Sequence, residues 1–89
     1  MPKAQKGSGS QELIPTIQNI IARQLKIKPS DVRLEAHLQK DLGAESLDAL
    51  EIIMYIEEAF DIRIPDEEAR KAGTVEDIAN YVSKMIKKP

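Results

Sequence analysis

Apolar residues recur at three- and four-residue intervals in three stretches of the chain, and no segment alternates at the strand period for more than the three residues Ile62-Arg63-Ile64. Leu13, Ile17, Ile20, Ile21 and Leu25 form one stripe and predict a first helix over Glu12–Leu25. Pro15 is then expected in its first turn, where a missing N–H costs little, and Lys26, Lys28 and Pro29 end it. A second helix is predicted over Ser46–Phe60, stopped by the approach to Pro65. Asp66-Glu67-Glu68 opens a short third helix with acids at its positive end, and Gly73 ends it. Thr74, with Asp77 three residues on, caps a last helix whose buried stripe is Val75, Ile78, Ala79, Val82 and Ile86. Lys84, Lys87 and Lys88 suit its negative end.

Residues 26–45 connect the first two helices. A connection of that length is rarely structureless in a small domain, and Ser30-Asp31-Val32 reads as a short turn within it. Val32, Leu34, Leu38 and Leu42 are expected to tie the loop to the core, and Gly43 to close it. The predicted fold class is all-α: a four-helix bundle of three main helices plus one short helix, with a long loop between the first and second. Met1–Gln11 is expected to be a disordered tail, linker-like at Gly7-Ser8-Gly9-Ser10 and in part tag-like, leaving 12–88 as one domain.

The second helix has two apolar faces. On a wheel of about 100° per residue, Ala49, Ile52, Ile53, Ile56 and Phe60 share the core arc. Leu47, Leu50 and Met54 fall nearly opposite, among Glu51, Glu57 and Glu58. Three large apolar residues edged by carboxylates read either as anchors of a partner site or as a strip covered by another helix of the same domain.

Composition narrows the chemistry. The 89 residues contain no Cys and one His, His37, so the chain has no disulfide, no thiolate of its own and no second His for a nucleophile–base pair. A lone loop histidine is expected to be a surface residue, and no Gly-rich phosphate loop is present. No apolar run reaches membrane-spanning length, and the polar start lacks a secretory signal, so a cytoplasmic monomer that does not insert into membranes is expected. The net charge of −2 hides a strong asymmetry. Ten acids and one base, Arg63, lie between Asp41 and Glu68, a segment of charge −9; twelve bases and five acids elsewhere give +7. An acidic helix face implies a basic partner surface and argues against nucleic acid.

Asp41-Leu42-Gly43-Ala44-Glu45-Ser46-Leu47-Asp48 places a serine where the long loop turns into the second helix. One role for it is the helix N-cap. The other is as an attachment point, since an anion joined to that hydroxyl sits at the positive end of the helix dipole.

Gly43-Ala44-Glu45-Ser46-Leu47-Asp48 resembles the Gly-Ala-Asp-Ser-Leu-Asp signature of the acyl carrier proteins. Ile56-Glu57-Glu58-Ala59-Phe60-Asp61 and Ile64-Pro65-Asp66-Glu67-Glu68-Ala69 are similar to the family's segments that follow, and the resemblance runs from about Leu13 to Ile86. It implies that Ser46 takes a 4'-phosphopantetheine arm from coenzyme A through a phosphopantetheinyl transferase. The arm's thiol then carries an acyl chain as a thioester between enzymes of fatty-acid or related lipid or polyketide biosynthesis. It implies that Glu45, Asp48, Glu51, Glu57 and Glu58, with Leu47, Leu50 and Met54 between them, dock acyl-transferring and chain-elongating enzymes. It implies an acyl pocket lined by Leu38, Ile56, Phe60, Ile64 and Ala69. In this reading Ser46 is a substrate of another enzyme, and the chain is no enzyme itself. Glu45 stands where the family usually has Asp, Lys40, Arg63 and Arg70 stand where acids are common, and Tyr55 is bulky where a small residue is usual. An amino-acid carrier, peptidyl or D-alanyl, and an unmodified helical interaction module are the alternatives; Ala44 in place of a second glycine favours the acyl branch.

Overall fold

The computed structural model describes the backbone of residues 9–86 and the side chains of residues 13–86. Among these residues four helices follow one another: α1 (Gly9–Leu25), α2 (Ser46–Phe60), α3 (Asp66–Lys71) and α4 (Val75–Ile86), with a 3-10 turn at Pro29–Asp31. The described residues contain no strand, only an isolated antiparallel bridge between His37 and Thr74. This is the all-α bundle the apolar stripes require.

α1 packs against both α2 and α4. The interior is built from branched aliphatic side chains: Ile17 and Ile21 of α1, Ile52 and Ile56 of α2, Ile78 and Val82 of α4, with Val32 and Val75 between them, all fully buried. Full burial of one such side chain is worth about 1.5–3 kcal/mol, so this aliphatic set dominates the stability of the fold. Leu25, Ile53, Phe60 and Ile86 complete the stripes from the partly buried margin, and Ala22 joins the core unforeseen.

Two helices end on a left-handed residue other than glycine. Lys26 (φ 60) follows α1 and Asp61 (φ 56) follows α2. In each case the next amide reaches back five residues, Ile27 N–H to Ala22 O at 3.0 Å and Ile62 N–H to Glu57 O at 3.1 Å, closing the helix end; Glu57 O also accepts Asp61 N–H.

The first helix corrects two expectations. It begins at Gly9, three residues before the expected start, and Pro15 lies inside it rather than in its first turn. A proline there removes one backbone donor and crowds the carbonyl four residues back, but the turn before it is closed by amides that precede the proline, so the helix extends back to Gly9. Gly9–Gln11 therefore belong to a helix and not to the expected tail. The rest of that tail, and Lys87 and Lys88, lie outside the described residues.

The long loop is held at several points. Val32 is fully buried and its carbonyl accepts Gln18 Nε2–H at 2.8 Å. Further on the loop runs beside the start of α4: Glu76 N–H donates to Leu34 O (2.9 Å), Val75 N–H to Ala36 O (3.0 Å) and Leu38 N–H to Gly73 O (2.9 Å). Leu38 is buried and Leu34 and Leu42 are half-buried, as expected of anchors; Ala36 and Ala44 are buried as well.

Candidate functional site

The loop delivers the chain to α2 through one tight corner. Gly43 adopts φ 76, a left-handed conformation that suits glycine, and Ala44 N–H then donates to Leu38 O at 2.8 Å. Glu45, still extended, is the N-cap of α2, and the Asp48 carboxylate accepts its N–H at 3.1 Å in a capping box. Ser46 is the first helical residue. The capping role open to the serine thus falls to its neighbours. Ser46 is exposed, and its hydroxyl enters no hydrogen bond among the described residues. It is reachable, unengaged, and placed at the positive end of a 15-residue helix.

A groove of about 540 Å³ opens beside it, between α2, α3 and the loop. Ser46, Ala49, Leu50 and Ile53 form the α2 wall, Asp66, Ala69 and Arg70 the α3 wall, and His37, Leu38 and Gln39 the loop wall, with Ala72 and Gly73 below. Of the five residues the resemblance implied for an acyl pocket, Leu38 and Ala69 line this groove. Ile56 and Ile64 are instead buried in the core, and Phe60 packs half-buried against it. The reason for Ile56 and Phe60 is their place on the core arc of α2, which the bundle fills with side chains. A groove that includes an exposed hydroxyl and has both apolar and polar residues in its walls fits a flexible arm such as phosphopantetheine.

The outward face of α2 is uncovered. Leu47 is 65% exposed, Leu50 60% and Met54 47%, so no helix among the described residues covers the strip. Tyr55, 46% exposed, widens it toward α1. The carboxylates around it are of two kinds. Glu45 and Glu58 are exposed. Asp48, Glu51 and Glu57 are half-buried and already engaged. Asp48 belongs to the capping box, Glu51 accepts a hydrogen bond from Gln24 Nε2 of α1, and Glu57 accepts Ile64 N–H at 2.7 Å, closing the turn after α2. These three carboxylates stand at the edge of the strip while fixing the structure beneath it.

His37, expected at the surface, is half-buried and structural. Its Nδ1 accepts Gln39 N–H (3.3 Å) and Lys40 N–H (3.2 Å), and its own N–H donates to Asp41 Oδ2 at 2.8 Å. With Arg70, it is the main groove residue that sequence reasoning missed. The local sequence carries no sign of the His37–Thr74 pairing, whereas Arg70 was visible as a base following a run of acids. Among the described residues no cluster of His, Asp or Glu could hold a metal ion, and no helix is long and apolar enough to cross a membrane.

Residues 15–82 match the family model described as "Phosphopantetheine attachment site". Among curated proteins, the chain is 49% identical over 73 residues to the acyl carrier protein of Bdellovibrio bacteriovorus, covering 82% of this chain and 94% of that protein. It is 41% identical over 71 residues to the acyl carrier protein of Campylobacter concisus, covering 80% and 92%.

Proposed function

The chain belongs to the acyl carrier protein family, carriers of acyl groups on phosphopantetheine rather than catalysts, and from that premise we propose that Ser46 is the residue that bears the arm. The single observation behind the assignment is the division of labour at the start of α2. Glu45 and Asp48 cap the helix, and the Ser46 hydroxyl is left exposed and free at its positive end. A phosphodiester there gains from the helix dipole and from amides without intrahelical partners.

The outer face of α2 is the docking surface in this reading. Leu47, Leu50 and Met54 supply desolvated anchor contacts, while Glu45, Asp48, Glu51, Glu57 and Glu58 attract basic surfaces on the transferase and on acyl-transferring and chain-elongating enzymes. The groove flanked by Leu38 and Ala69 takes the proximal part of the arm and its cargo. The setting is cytoplasmic fatty-acid synthesis or a related lipid or polyketide system.

Incubation with coenzyme A and a broad-specificity phosphopantetheinyl transferase, followed by intact mass, tests the assignment. Wild type should gain one phosphopantetheine and S46A none. An S46A protein that still gains the group would overturn it.

A further inference from the structure

The surroundings of Ser46 are electrostatically mixed. Glu45, the N-cap, and Asp48, in the first turn of α2, flank it, and Asp66 lines the facing wall of the groove. A phosphodiester on Ser46 adds another full negative charge. The start of α2 offers about half a unit of positive charge in return, too little to offset three carboxylates. Among the residues lining the groove, Arg70 carries the one permanent cation. It is exposed, stands in the last turn of α3, and forms no ion pair among the described residues, even though Asp66 lies four residues before it on the same helix.

We propose that Arg70 is the counter-ion of the arm's phosphodiester: once Ser46 is loaded, the guanidinium closes across the groove onto the phosphate oxygens and ties α3 to the start of α2. This deepens the Ser46 assignment and rests on it. Guanidinium suits the role because its planar fork gives two parallel N–H donors to a phosphate and its charge is constant with pH. α3 is the element free to respond. It has six residues, none of them fully buried, and is held mainly through Ala69 and the flanking Ile64 and Ala72. An ion pair that forms only on loading makes the carrier's second wall firmer when the arm is present.

The test compares apo and holo forms of wild type, R70K, R70Q and R70E by thermal unfolding, with intact mass confirming loading in every sample. All four apo proteins should melt within about 1–2 °C of one another, as expected for an exposed unpaired side chain. Loading should raise the wild-type Tm by about 2–4 °C more than it raises that of R70Q, the scale of one exposed ion pair in a domain this small. R70K should keep part of the gain, R70E should lose stability on loading, and the wild-type advantage should vanish at about 1 M salt. The Arg70 Nε–Hε NMR resonance should shift on loading. Equal apo-to-holo changes in wild type and R70Q, with an unmoved Arg70 resonance, would overturn the proposal while the mass adduct left Ser46 standing. Absence of any adduct on wild type would remove the Ser46 assignment first, and this proposal with it.

Discussion

A serine at the boundary between a loop and a helix is often the N-cap. Here Glu45 accepts the N-cap position and Asp48 returns the hydrogen bond at 3.1 Å, so that role does not fall to Ser46. The two roles weighed for the serine can therefore be separated by stability. S46A should change unfolding free energy by less than about 0.5 kcal/mol, as for an ordinary surface substitution. Asp48→Ala should cost about 1 kcal/mol through loss of the capping box. Urea unfolding of both variants checks the pair, and a large loss in S46A would show that the hydroxyl is structural after all. The position of Ser46 at a helix start was legible in the sequence, because Gly43 and the apolar pattern after it mark the boundary. Which residue caps was not, since Glu45 is a less favoured cap than serine and only the Asp48 contact decides between them.

Among the elements, the helix ends and the long loop are where pattern reasoning was weakest. Lys26 and Asp61 both hold left-handed backbone, which costs a β-carbon-bearing residue about 1 kcal/mol, less for Asp with its short polar side chain. Lys26→Gly should thus stabilise the protein by about 1 kcal/mol, and Asp61→Gly by less; thermal melts of both rank them. The loop is fastened where Gly73 passes His37. A β-carbon at Gly73 would meet His37 Nε2 at 2.6 Å and Cδ2 at 2.9 Å, so the ring would have to leave its place over the Gln39 and Lys40 amides. Gly73→Ala should cost about 1–3 kcal/mol. Its cost should be smaller in a His37→Ala background, giving a coupling above about 0.5 kcal/mol in a double-mutant cycle. Additive costs would mean the two residues do not meet. The sequence showed that the loop needed anchors and supplied Val32, Leu34, Leu38 and Leu42 as candidates. It could not show the His37–Thr74 bridge, because pairing across 37 positions leaves no local period. The early start of α1 escaped for a similar reason: Pro15 reads as a boundary signal, yet the turn before it forms.

Over the whole molecule, one amphipathic logic serves twice. The arc of α2 bearing Ile52 and Ile56 is consumed by the core, while the opposite arc keeps Leu47, Leu50 and Met54 uncovered among acids. Both arcs were readable from spacing, since a helix fixes which residues share a side. Whether the outer one was covered required the packing of α1 and α4. Replacing Met54 by Ala and Glu58 by Lys should weaken transferase binding in different ways: the first chiefly by faster dissociation, the second by slower association and a weaker dependence on salt. Surface-binding kinetics at several ionic strengths distinguish them. The groove walls come from three separate parts of the chain, and Leu38 and Ala69 are the two of the five implied acyl-pocket residues that line it. The most direct measurement of the central claim is fragmentation mass spectrometry of the transferase-loaded protein after trypsin cleavage. The peptide spanning residues 41–63 contains Ser46 as its single serine or threonine, while Ser8, Ser10, Ser30 and Ser83 fall in other peptides. One phosphopantetheine is expected on that peptide, localised to Ser46; the group on any other residue, or a loaded protein whose 41–63 peptide is unmodified, would contradict the Ser46 assignment.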